Sequence, residues 1–337
     1  MTTAAENQNV NAARRPTGSS RRGILIFISR YGTIIGLLAM ILFFSIAAPT
    51  TFFSTANFLN ILSQASLTAI IAAGLTYTLV VGEFDLSVGF VASFIGLIVC
   101  GLMANQGFSI PLAIIASIAL GMAIGCVNGL LVTKVGINAV IATLGVGTIL
   151  SGIGFSYSAF PIAVGIPREF TSISIGRLLF GIPNPVVIMF AVLAILWVIL
   201  NKTDLGQKMQ AVGSNIEAAR LSGIRVDRIK MFAFATAGLC AALTGVLLSS
   251  LLGSGTLGAG DGYLLNAFAA VFLGSATIRE GQFHIFGTLV GVMILAVGFN
   301  GLSIFGAPTH FQPIFKGGIL IFAVGLSTLA RRYATTG

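Results

Sequence analysis

Long apolar runs, separated by short breaks of polar residues, glycine or proline, dominate the chain. A helix needs about 20 mostly apolar residues to cross the hydrocarbon core of a bilayer. On that criterion ten runs are predicted to span: Tyr31–Ala48, Phe58–Val81, Val88–Ala104, Ile110–Val132, Ile137–Tyr157, Pro185–Leu200, Ile229–Leu252, Tyr263–Thr277, His284–Phe305 and Ile314–Ala330. The sixth and eighth are short, as expected of tilted, broken or re-entrant segments. The predicted fold is an all-α integral membrane protein of about ten transmembrane helices with both termini cytoplasmic. It divides into a basic arm over residues 1–30, a membrane domain over 31–330 with a cytoplasmic loop at 201–230, and a tail over 331–337.

Composition agrees with this pattern. Hydrophobic residues make up 56% of the 337 and charged residues 8%, against roughly 25% charged in a soluble domain. The net charge of +9 would suggest a nucleic-acid partner in a soluble protein. Here the basic residues flank apolar runs, so they set orientation instead, and no nucleic-acid partner is expected. With the arginine-rich arm inside and the spans alternating, 15 of the 18 Lys and Arg side chains face the cytoplasm. Only Arg168, Arg177 and Lys316 face out. The run after the arm ends in no small-residue cleavage site and reads as an uncleaved first helix. Cys100, Cys126 and Cys240 lie within apolar segments without metal or disulfide spacing.

What chemistry the chain carries is equally patterned. Glu83, Asp85, Glu169, Asp204, Glu217, Asp227, Asp261 and Glu280 fall at span ends or in loops. Ion-driven carriers usually place a titratable group within the pathway, so a proton relay is not expected. No G-x-x-x-x-G-K-[ST] string is present, hence no ATP site. His284 and His310 lie near opposite faces, which disfavours a catalytic or zinc cluster. Gly121-x-x-x-Gly125 and Gly287-x-x-x-Gly291 favour close helix approach.

The cytoplasmic loop is the most charged stretch after the arm. Ser214 and Glu217 form an S-x-x-E pair, predicting a capping box with a helix starting at Asn215. Gly223 suits the left-handed turn that ends it. The product is a helix of about two turns, presenting Ile216, Ala218 and Ala219 as a small apolar face; alone it is too short to be stable. Glu217-Ala218-Ala219 followed by Gly223 resembles the EAA…G loop of ABC-transporter permeases. The longer string, with Ala211-Val212-Gly213, Asn215, Arg220 and Ser222-Gly223-Ile224, resembles the ribose-type branch of that family; the Ile-x-Leu-Pro tail of the maltose-type branch is absent. The resemblance implies that Ser214, Asn215, Glu217, Ala218, Ala219, Arg220 and Gly223 form a coupling helix seated on a cytosolic ATPase. ATP and Mg would be held by that partner, with no cofactor in this chain.

Further blocks resemble the same family. Val81-Gly-Glu-Phe-Asp-Leu-Ser-Val-Gly89 is similar to its Gly-Gly-Ile-Asp-Leu-Ser-Val-Gly string, with Glu83 and Phe84 where that string has Gly and Ile. Asp85 or Ser87 is expected to cap the next helix, and Gly82 and Gly89 to permit a sharp turn; the resemblance places these four at an inner gate. Gly136 to Gly145, Gly260 to Gly274 and Gln312 to Gly318 follow in the family's order. Gly125-x-x-Asn128-Gly-Leu returns nearly as Gly298-x-Asn300-Gly-Leu at the opposite predicted face, as an inverted-topology repeat requires. The resemblance implies a permease subunit of a binding-protein-dependent importer in the bacterial inner membrane, working as two copies on a sugar, polyol or sugar-like solute. Asn60, Gln64, Asn266 and Asn300 are the pore candidates. The alternative is an ion-coupled secondary carrier; a polytopic membrane enzyme would need clustered acids or histidines.

Overall fold

A computed structural model describes residues 19–178, 181–275, 281–308, 310–319 and 321. Residues 1–18 of the arm, Arg279 and Glu280, the end of the eighth predicted span, most of the tenth and the tail at 331–337 lie outside the described residues. The described chain is helical: α1 Ser19–Ala47, α2 Thr55–Val80, α3 Val88–Ala104, α4 Ile110–Leu130, α5 Ala139–Tyr157, α6 Arg168–Ile175, α7 Asn184–Lys202, α8 Asp204–Ser214, α9 Ile216–Leu221, α10 Val226–Leu252, α11 Asp261–Ser275 and α12 Ile285–Ile304. Residues 311–319 are helical as well. Among the described residues, six helices are long and apolar enough to cross a membrane: α2, α4 with its extension, α5, α7, α10 and α12. The sixth predicted span is therefore not short. Pro185 sits in the first turn of α7, where its missing N–H costs nothing, and Asn201 and Lys202 lengthen the other end.

Helix α10 is the hub, packed against α2, α3 and α4, while α11 and α12 pack on each other and on α2. The small residues of α4 make this possible: a Cβ on Gly121 would run into Ala242, and one on Gly125 into the Phe234 carbonyl. Gly291 abuts the Ala270 carbonyl, and Gly274 abuts Gly287, in the same way. Both G-x-x-x-G pairs thus lie at close helix contacts, as predicted. Buried hydroxyls add directional bonds between helices. Thr76 and Thr288 oxygens lie 2.8 Å apart, and Tyr77 Oη donates to Leu196 O at 2.6 Å. Cys240 is buried as packing against Gly74. Large apolar side chains on α1, α5 and α7, such as Leu42, Phe43, Ile141, Ile149 and Ile195, point outward from the bundle.

Helices α3 and α11 are different. With 17 residues α3 reaches roughly 25 Å, short of an apolar core about 30 Å thick. Each follows a non-helical segment folded into the protein, and their first turns meet. Gly89 lies against Leu264 and the carbonyls of Gly260 and Asp261. Ser93 Oγ donates to Asp261 Oδ1 at 2.6 Å and accepts from Gly260 N at 2.9 Å. Ser93 thereby satisfies a backbone amide of the non-helical segment that precedes α11.

Candidate functional site

Two parts of the chain converge at the end of α2: the loop between α7 and α10, and the turn leading into α3. The loop forms two helices, where one was predicted. Helix α8 ends at Ser214, whose Oγ donates back to Gln210 O at 2.9 Å. The cap of α9 is Asn215, extended at φ −157° and ψ 107°, with Oδ1 accepting from Ala218 N at 3.0 Å. The expected Ser214–Glu217 box is therefore absent. Ser214 is spent as the last residue of α8, and the adjacent amide has the better reach. Gly223 takes φ +78° just past the end of α9, as its place in the sequence predicted.

The face of α9 is also rotated from expectation. Ala219 is buried and Ile216 half-buried, turned onto α8 and α10. What faces outward is Glu217, Ala218, Arg220 and Leu221, the last 90% exposed. Glu217 and Arg220 lie 3.8 Å apart as an exposed pair, an interaction of little energy.

The loop is wedged against the gate turn from both flanks. A Cβ on Gly213, at the end of α8, would strike the Val80 carbonyl at the end of α2. Lys230, in the first turns of α10, donates to Glu83 Oε1 at 2.5 Å, and both side chains are mostly buried. Gly82 turns the chain at φ +82°. Phe84 then stacks on Phe268 and Phe272 of α11, with ring centroids 6.1 and 6.4 Å apart. Segment 82–87 is thus clamped to α10 by charge and to α11 by aromatic contact. Neither anchor is visible in the sequence, because the partners lie about 150 to 190 positions away.

Asp85 and Ser87 do not cap α3. Asp85 Oδ1 accepts from the Ser87 N and Oγ at 2.9 and 2.6 Å. Ser87 is the N-terminal flanking residue of α3 but makes no side-chain cap bond. The reason is burial. Both side chains are closed off, with Asn128 Nδ2 donating to Ser87 Oγ at 2.8 Å and Leu86 N donating to Thr143 Oγ1 at 3.0 Å. Ser87 and the Leu86 amide knit segment 82–87 to α4 and α5 rather than ending a helix. Burial pushes the Asp85 carboxyl up to about 6, against the pull of its Ser87 bonds. Gly89, expected at a turn, is helical, and its lack of a side chain serves the contact with α11.

Of the four pore candidates, Gln64 and Asn266 are brought together around one cavity of about 230 Å³ between α2, α11 and α12. Asn60 sits one turn away and accepts from Gln64 Nε2 at 3.2 Å. Asn300 is elsewhere, exchanging two amide hydrogen bonds with Asn57 at 2.8 and 3.1 Å. Sequence reasoning missed Ser63, Thr68 and Tyr263 at the same cavity; their period along α2 and α11 would have shown it. His284, at the start of the ninth predicted span, caps α12, its Nδ1 accepting from Gly287 N at 2.8 Å.

The described residues thus form a body of apolar helices whose α8–α9 loop is locked to the turn before α3. The comparisons name the family. The model for the branched-chain amino acid transport system permease component matches residues 57–324, and the chain belongs to that family. It is similar to the ribose import permease protein of Bacillus subtilis (strain 168), 37% identical over 88% of this chain and 92% of the relative. It is similar to the xylose transport system permease protein of Haemophilus influenzae (strain ATCC 51907 / DSM 11121 / KW20 / Rd), 33% identical over 88% of this chain and 96% of the relative. The D-allose transport system permease protein of Escherichia coli (strain K12) is 32% identical over 90% and 93%. No solved structure matches. The chain is a permease subunit of an ABC importer in the bacterial inner membrane, a transporter component rather than an enzyme.

Proposed function

We propose that this permease carries a sugar or sugar-like solute, delivered outside by a binding protein, along a path made by two copies of the chain. A cytosolic ABC ATPase bound at α9 drives it and hydrolyses ATP with Mg. In this reading the chain spans the membrane ten times with both termini inside, and α3 and α11 are corresponding broken helices of an inverted repeat. The paired first turns of α3 and α11, joined through Ser93 and Asp261, support the repeat. Half-helices facing each other are how transporters of that architecture build their centre. The three relatives above carry sugar names, which supports the solute class.

The observation that carries the reading is the two-sided wedge at the end of α2. Gly213 against Val80, and Lys230 against Glu83, put both flanks of the α8–α9 loop in contact with the turn that leads into α3. A push on α9 from below moves α8 and α10 and therefore has to move segment 82–87. The outward residues Ala218 and Leu221 are left to meet the ATPase.

Leu221→Asp tests the docking surface without disturbing the bundle, because Leu221 is 90% exposed. Burying a charge where an apolar anchor belongs costs about 2 kcal/mol, ~30-fold in affinity. The expected result is loss of ATPase from the purified complex and loss of ATP-driven sugar uptake, with normal amounts of permease in the membrane. Unchanged ATPase retention and uptake would overturn the assignment.

A further inference from the structure

We infer that Asp85, Ser87 and Asn128 form a buried site for one sodium-sized monovalent cation, which bridges segment 82–87 to α4. The ion is a fixed counter-charge and not a cargo: none of these residues lines the cavity between α2, α11 and α12.

The balance of donors and acceptors carries the argument. Asp85 is 1% exposed and Asn128 0%. Each keeps one oxygen, Asp85 Oδ2 and Asn128 Oδ1, without a hydrogen-bond partner. The two groups flank a single hydroxyl: Ser87 Oγ donates to Asp85 Oδ1 at 2.6 Å and accepts from Asn128 Nδ2 at 2.8 Å. Donors around them are already committed. Ser87 N donates to Asp85 Oδ1, Leu86 N to Thr143 Oγ1, and Thr143 Oγ1 to Ala139 O. A buried acceptor with no donor is costly, and a charged one more so.

Charge sharpens the deficit. Among the described residues Asp85 has no ion-pair partner, and the lysines of the adjoining elements are taken, Lys230 by Glu83 and Lys134 by Asp227. A carboxylate closed off from water without a counter-charge is strongly disfavoured. One cation on Asp85 Oδ2 and Asn128 Oδ1 corrects both faults. The set is a carboxylate, an amide carbonyl and a hydroxyl with a spare lone pair. All-oxygen ligands suit hard cations and not zinc or copper. A single negative charge matches a monovalent ion, whereas a divalent one would leave net positive charge buried. Hard cations of this size hold oxygens at about 2.3–2.6 Å, a reach that suits two groups sharing one hydroxyl. Because Asn128 belongs to α4, the ion ties the segment that Lys230 clamps to the centre of the bundle.

The test follows the melting temperature of the full-length permease in detergent as choline chloride is replaced by NaCl or KCl at constant ionic strength. Wild type is expected to gain about 3 °C or more in NaCl and less in KCl. Asp85→Asn puts an amide donor where Oδ2 stood and removes the charge. It should melt at or above wild type in choline and show no response to sodium, an outcome that simple loss of the Asp85 hydrogen bonds would not produce. Equilibrium binding of radioactive sodium, read by scintillation proximity, should show one ion per wild-type chain and none on Asp85→Asn or Asn128→Leu. Equal melting of wild type in sodium and choline, an equal gain in potassium, or equal sodium binding by wild type and Asp85→Asn would overturn the site and leave the transport assignment standing.

Discussion

Two adjacent residues, Ser214 and Asn215, carry the cap of the coupling segment differently from what their spelling suggests. A serine followed three positions later by glutamate is a strong local signal. It loses here because α8 runs through to Ser214 and its hydroxyl is bonded to Gln210. Asn215 holds the extended backbone that a cap needs, and its side-chain oxygen takes the Ala218 amide. Asn215→Ala should therefore weaken α9 by about 1 kcal/mol, while Ser214→Ala should change it little. Amide hydrogen exchange across Ala218–Leu221 checks this: faster in the first variant, unaltered in the second. The opposite order would restore the capping box. The motif thus showed that a short helix starts here, but not which residue starts it. A tie between two good caps is settled by where the preceding helix stops, and that depends on Met209 and Val212 being buried beneath it.

At the level of whole elements, apolar run length located the long helices, because a run of about 20 apolar residues has few other uses, while the short α6 and α8 went unpredicted. The predicted bounds of the third span agree with α3 to the residue, and those of the fifth and ninth differ from α5 and α12 by at most two. The depth of a helix was not legible. α3 reads as an ordinary short span, and only its contacts with Asp261, Thr143 and Asn128 show that the chain before it re-enters the protein. Equally hidden was the Glu83–Lys230 pair, since charge in a loop says nothing about its partner. That pair and the Phe84 stack fix a six-residue non-helical segment whose sequence departs from the usual string at those two positions. Removing one partner of a buried ion pair costs about 3–5 kcal/mol, most of it for the charge left behind. Glu83→Lys and Lys230→Glu should each abolish ATP-driven uptake and lower the melting temperature, and the double exchange should recover a large part of both. Double-variant behaviour no better than the worse single change would mean that the two side chains act independently.

Seen as a whole, the molecule has an asymmetry that no single helix carries. Its described surface is apolar along α1, α5 and α7. Its charged pairs Lys134–Asp227, Glu217–Arg220 and Glu83–Lys230 all involve residues near one set of helix ends. Those ends are the finish of α2, of α4 with its extension, and of α7, together with the starts of α5 and α10. At the other ends lie Gly107, Phe108 and the segment of Ile162 that bridges to Gly255. Basic residues are retained on the cytoplasmic side during insertion, so the charged end is expected to be the inner one, with α9 toward the cytoplasm as proposed above. The claim is open to direct labelling. In a cysteine-free background, Ser222→Cys beside α9 should resist a membrane-impermeant thiol reagent in intact spheroplasts and react after permeabilisation. Asn105→Cys, exposed between α3 and α4, should react in both. Each substitution lies on the surface, so folding is preserved, and the two positions report on opposite sides of the same bundle. Labelling of Ser222→Cys from outside would turn the whole molecule over, placing α9 beyond the reach of any ATP-hydrolysing subunit and removing the mechanical basis for coupling through Gly213 and Lys230.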